Sequence, residues 1–152
     1  MKLIPLRQWV CDSCGKVIDK PEDGWFEWYT EKNTCLDTGF RIVHQRESCM
    51  YNDRTLEQQN RSPCHLGLAG ALGSSGLGYF LFKLELSGKG VHKLADIKEV
   101  AEIIRRLHLP YYEEARLYWD DALRDGFHDG CSFDESTLLG IIENYGADRP
   151  SS

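Results

Sequence analysis

The clearest periodicity lies in the last third of the chain. Ile97, Val100, Ala101, Ile104, Leu107 and His108 recur at helical spacing and predict one amphipathic helix. Asp96 followed by Glu99 has the spacing of an N-terminal capping pair. Leu109-Pro110 ends that helix and lets Pro110 open a second, running to about Arg124 and closed by Gly126. A third helix begins at Asp134, with Phe133 and Leu138 at staple positions. Its stripe is Leu138, Ile141, Ile142 and Tyr145, and Gly146 ends it.

The first 65 residues show a different rhythm. Trp25-Phe26-Glu27-Trp28-Tyr29-Thr30 is aromatic-rich and predicts a strand. Phe40-Arg41-Ile42-Val43-His44 alternates at first and predicts a second strand ending on the histidine. Pro21-Glu22-Asp23-Gly24 and Asp37-Thr38-Gly39 are read as turns. Asn52 or Asp53 caps a short helix through Gln59, stopped before Pro63. The glycine-rich stretch that follows suits two readings. Ser74 or Ser75 can cap a helix over 77–86, but Phe80, Phe82, Leu84 and Leu86 also alternate like a strand; helix is preferred. Ser87-Gly88-Lys89-Gly90 is a break.

These patterns predict an α+β chain: a β-rich unit over 1–65, an acidic helical domain over 66–148, and a frayed tail over 149–152. Charge adds to the contrast. Residues 1–65 hold 9 Lys+Arg against 10 Asp+Glu, a net of −1; residues 66–152 hold 9 against 14, a net of −5. Residues 110–135 alone carry eight acidic and two basic side chains. The helix pair around Leu109-Pro110 has the order of a helix-turn-helix, yet Glu113, Glu114, Asp120, Asp121 and Asp125 on its second helix would repel phosphate. The stretch 66–82 holds five glycines and is shorter than the roughly 20 apolar residues of a membrane span. No membrane association is expected. The opening five residues lack the apolar core of a signal peptide, so the six cysteines point to metal binding or burial in a cytoplasmic setting.

The candidate chemistry sits in the β-rich unit. Cys11-Asp12-Ser13-Cys14 can turn two thiolates toward one point, and Gly15 suits the positive φ such a knuckle needs. His44, at a strand end, and Cys49, before the next helix, supply the second pair of ligands for one Zn²⁺ ion. Cys35, Cys64 and His65 are rival ligands. Knuckle, hairpin, strand and helix, in that order over residues 9–60, resemble the treble-clef class of zinc finger. A redox dithiol at Cys11 and Cys14 is disfavoured, because no long helix follows the motif.

Three functions follow. The preferred one is a non-enzymatic protein-interaction module. In it the zinc staples the fold and the acidic, aromatic helical half, with Tyr111, Tyr112, Tyr118 and Trp119, meets a protein partner or a second copy of the chain. The second is a nucleic-acid-binding finger using Arg41, Arg46, Arg54 and Arg61 with Trp25 and Trp28, disfavoured by the acidic charge. The third is a metal-dependent nuclease, since some nucleases carry a treble-clef-like ββα-metal site. Here His44 would be the base, with Asn60 and His65 beside it. Gly73-Ser74-Ser75-Gly76-Leu77-Gly78 lacks the lysine of a phosphate loop. His128 and Cys131 have no evident second half-site and are read as a loop; His92 and His108 are read as surface and helix-edge residues.

Overall fold

A computed structural model describes residues 1–146. A small hairpin opens the fold: β1 (Trp9–Val10) pairs antiparallel with β2 (Val17–Ile18), setting Trp9 opposite Ile18. A 3-10 turn at Pro21–Asp23 leads into β3 (Gly24–Glu31), which pairs antiparallel with β4 (Leu36–His44). The short helix α1 (Asp53–Gln58) is capped by Asn52, whose side chain accepts the Thr55 N–H. β5 (Arg61–Gly67), α2 (Gly73–Gly88), β6 (Lys93–Leu94) and α3 (Ile97–His108) follow. The main sheet runs β5-β3-β4-β6, antiparallel except for the β4/β6 pair. Three helices close the described chain: α4 (Tyr112–Ala115), α5 (Trp119–Arg124) and α6 (Glu135–Tyr145), with a 3-10 turn at Arg116–Tyr118. The fold is mixed α+β. No helix among the described residues is long and apolar enough to cross a membrane.

Two apolar clusters organise these elements. The larger gathers Trp9, Ile18, Phe26, Trp28, Ile42 and Val43 from the strands against Phe80 of α2 and Val100, Ile103 and Leu107 of α3. It therefore draws on both sides of residue 65. The smaller gathers Tyr112, Ala115, Ala122, Leu138 and Ile141, with Trp119 and Phe133 stacked 5.0 Å apart at its margin.

Several local expectations are corrected. Asp37-Thr38-Gly39 is not a turn; it lies inside β4, and the hairpin turns at 32–35 instead. Gly39, at φ +71°, forms a bulge where the β3/β4 register shifts, and this leaves Asp37 buried. The stretch after α1 is a strand, with Pro63 tolerated because β5 is an edge of the sheet. α2 is longer than 77–86, and neither Ser74 nor Ser75 caps it: its N-cap is Leu72. The buried stripe of α3 is Val100, Ile103, Arg106 and Leu107, while Ile97 is 63% exposed. The Glu99 carboxylate does not reach back to the Asp96 N–H; it turns to β4 and accepts the Thr38 hydroxyl and the Gly39 N–H. Pro110 does not open the next helix, since Tyr111 adopts a left-handed φ of +67° and α4 starts after it. The capping aspartate Asp134 and the helix end at Gly146 are found as expected. The tail expected over 149–152 lies outside the described residues.

Candidate metal centre

The hairpin β1–β2 exists to make a knuckle. Cys11 N–H donates to the Lys16 carbonyl at 2.9 Å, and Gly15 N–H donates to the Cys11 carbonyl at 2.9 Å. Closing so tight a loop needs a left-handed residue, and Gly15 supplies φ +70°. Between the two cysteines, Asp12 fastens the knuckle to β4: its N–H donates to the Ile42 carbonyl at 2.8 Å and its Oδ2 accepts the Ile42 N–H at 2.7 Å. That register brings the end of β4 beside the knuckle and delivers His44. The turn after β4 returns Cys49, whose N–H donates to the Arg46 carbonyl at 2.9 Å.

The ligand atoms of Cys11, Cys14, His44 and Cys49 all lie within 4.8 Å of one another, and the four could hold a metal ion. Cys11 and Cys49 are buried, His44 is half-buried and Cys14 is exposed. The rival ligands stand elsewhere. Cys35 is at the β3–β4 turn, and Cys64 and His65 sit on β5 opposite Trp28 and Glu27. His65 stacks on Trp25 with ring centroids 4.5 Å apart.

The surroundings prepare these side chains for a cation. His44 Nε2 lies 3.1 Å from the Val17 carbonyl, which can only accept, so Nε2 carries the proton. Nδ1, the other ring nitrogen, faces Cys14 Sγ at 3.5 Å. The sulfurs are hydrogen-bonded in turn. His44 N–H donates to Cys11 Sγ at 3.4 Å, Arg46 Nε donates to Cys49 Sγ at 3.1 Å, and Arg46 Nη2 donates to Cys14 Sγ at 3.3 Å. Donors aimed at sulfur favour the thiolate. The Lys16 N–H does most to bring the Cys14 thiol down to about 6, with Cys11, Cys49 and Arg46 adding to it. Burial pushes the Cys11 thiol up.

The pattern did not reveal the side chain that ties this centre to the helical half. Arg106 on α3 is 3% exposed. Its guanidinium donates to Asp12 Oδ2 at 2.7 Å, to Glu113 Oε2 at 2.7 Å and Oε1 at 3.0 Å, and to the Val10 carbonyl at 3.0 Å. Glu113 also accepts the Val10 N–H and two bonds from Arg116. An arginine on a helix carries no outward sign of burial; only the acids at 12 and 113 could have marked it. No family model, curated protein or solved structure matches this chain.

Proposed function

We propose that this chain is a non-enzymatic protein-interaction module, folded around one structural zinc ion and docking a basic partner through its acidic C-terminal surface. The donor set carries the zinc half of the reading. Three thiols and one imidazole satisfy zinc without leaving an open position for a substrate. A tetrahedral zinc with Zn–S of about 2.3 Å and Zn–N of about 2.0 Å separates neighbouring donors by about 3.5–3.8 Å. Cys14 Sγ and His44 Nδ1 are 3.5 Å apart. Three thiolates on a divalent ion leave one negative charge, and Arg46 stands beside two of the sulfurs to offset it. The order of knuckle, β3–β4 hairpin, His44, Cys49 and α1 supports a treble-clef-like finger. Zinc would supply folding energy there, and a reducing cytoplasm would keep the thiols available.

The docking half rests on what the helical region exposes. Tyr112, Trp119 and Phe133 pack into the second core, so the aromatic docking face becomes an acidic-apolar one. Asp120, Asp121, Asp125, Asp129, Asp134 and Glu135 are exposed, together with Leu123 and Phe127. A concavity of about 370 Å³ lined by Phe127 and Asp129 suits a lysine or arginine side chain. The Cys131 N–H, the Ser132 hydroxyl and the Ser132 N–H hold the Asp129 carboxyl down to about 2, so it stays charged.

The alternatives gain less. Arg41 pairs with Glu27, Arg46 with the sulfurs, and Arg61 with Glu31, which leaves the finger few cations for phosphate. A nuclease would need His44 as base, but Nε2 is held by Val17 and Nδ1 faces the cysteines.

Two measurements test the reading. Native mass spectrometry of the purified chain should find one zinc, lost with the folded circular-dichroism signal in Cys49→Ser. A folded, zinc-free wild type ends the zinc claim. The triple variant Asp120→Lys, Asp121→Lys, Asp125→Lys should keep zinc and fold but lose salt-sensitive capture of basic partners. Undiminished capture ends the docking claim.

A further inference from the structure

We propose that the cavity between β3, β4, β5 and α2 binds a small, uncharged aromatic molecule carrying a hydrogen-bond acceptor. The cavity measures about 230 Å³ and shares no residue with the cysteine cluster: β4 reaches it at Asp37 and ends on His44 at the cluster. Its walls are mostly apolar: Trp28 of β3 and Tyr79, Phe82 and Leu86 of α2. Pockets for drug-sized ligands run to roughly 300–1,000 Å³, so this one suits a single ring or a small fused pair.

The polar groups define the chemistry. Lys83 and Asp37 also line the cavity and are only 6% and 1% exposed. Lys83 Nζ donates to Asp37 Oδ2 at 2.6 Å, and Thr30 Oγ1 donates to Asp37 Oδ1 at 2.6 Å. The same ammonium lies 4.5 Å from the Trp28 ring centroid and 5.6 Å from that of Phe40. An ammonium has three N–H donors, and among the described residues Lys83 forms a hydrogen bond to Asp37 alone. The Tyr79 hydroxyl hydrogen-bonds to no described residue; burial and the nearby Cys64 and Asp37 push it up to about 12, so it remains a donor.

Spare donors call for an acceptor, and aromatic walls call for a flat ring. The charge state follows from the pair. Lys83 and Asp37 neutralise each other and His92, the histidine of the lining, is exposed, so an anionic or cationic guest beside the buried pair would leave an uncompensated charge out of water. An uncharged guest avoids that cost. Stability alone does not require the ion pair, because apolar side chains of similar volume often pack such a wall as well. Phe82, 55% exposed at the cavity, is placed to cover a guest.

Three probes of one size and different charge separate the possibilities: benzamide, benzoate and benzylamine. Each is titrated into the whole 152-residue chain and followed by amide chemical shifts. Benzamide should shift the signals of Cys64, Tyr79 and Lys83, and the two charged probes should bind about tenfold more weakly or worse. Phe82→Ala, at a half-exposed position, should keep the thermal midpoint and weaken benzamide several-fold. Leu86→Trp, which fills the cavity, should abolish the shifts. If Leu86→Trp does not fold, Phe82→Ala carries the test alone. The proposal falls if benzamide at its solubility limit shifts none of these signals. It falls equally if benzoate binds as tightly, or if Phe82→Ala binds benzamide as the wild type does.

Discussion

Arg106 shows how much one side chain can carry. A buried guanidinium costs several kcal/mol to desolvate and is tolerated only when its donors are met. Here Glu113 takes two bonds, Asp12 one and Val10 one. Glu113 gains in return. Burial alone would raise its pKa, but the charges and hydrogen bonds of Arg106 and Arg116 outweigh that and bring it below the ordinary glutamate value. The unfolded chain therefore takes up this proton at a higher pH than the folded one. The stability Glu113 confers is complete above its unfolded value of about 4.3 and is lost as pH falls through the lower folded value. Urea midpoints of the wild type should drop on acidification through that window, and Glu113→Gln should drop less steeply. The same variant should be about 3 kcal/mol less stable at neutral pH, at the low end for breaking a buried pair because Asp12 still meets Arg106. Parallel curves for the two proteins would sink the assignment.

At the scale of elements, α2 offers a test in which one substitution changes sign within two residues. Glycine to alanine inside a helix gains about 1 kcal/mol of propensity. At Gly78 the new methyl group meets nothing within 4 Å, so Gly78→Ala should stabilise by that amount. At Gly76 it would stand 2.0 Å from the Ala71 carbonyl oxygen, a backbone atom with no rotamer to yield. Overpacking costs about 1–3 kcal/mol, and a clash with main chain belongs at the upper end, so Gly76→Ala should destabilise despite its better propensity. Equal urea midpoints for the two variants would mean that α2 does not pack so closely on the turn before it. The same helix shows where pattern alone stops. Its glycines weakened the helical signal, yet Gly76 is there for contact with Ala71, which spacing does not encode. β5 was hidden in a related way. Pro63 and the pair Cys64-His65 suggested a helix stop and spare ligands, and only the edge position of the strand explains why a residue without an N–H fits. The knuckle was legible because its geometry is local: four residues and Gly15 determine it. His44 and Cys49 were legible as candidates, but placing them beside the knuckle depends on the Asp12–Ile42 bonds, made across 30 residues.

For the molecule as a whole, the central question is whether the candidate metal centre and the helical half unfold together. The contacts argue that they do. Asp12 lies inside the knuckle and binds Arg106; Val10, one residue before Cys11, exchanges bonds with both Glu113 and Arg106; and the Trp9 indole donates to the Arg106 carbonyl at 3.0 Å. Trp9 and Cys11 also belong to the cluster that holds Val100, Ile103 and Leu107. If the proposed ion holds the knuckle closed, its loss would therefore withdraw one wall of that core and two partners of a buried cation at once. Hydrogen exchange should report it. With the metal in place, amides of β3, β4 and α3 should be protected together. Removing it with a chelator should expose the knuckle and also lower protection across α3 and α4, far along the chain from any proposed ligand. Helices α5 and α6, packed in the second cluster, should lose less. If the loss stays within residues 9–50, the metal staples only its own loop, and the buried Arg106 network holds the remainder without it.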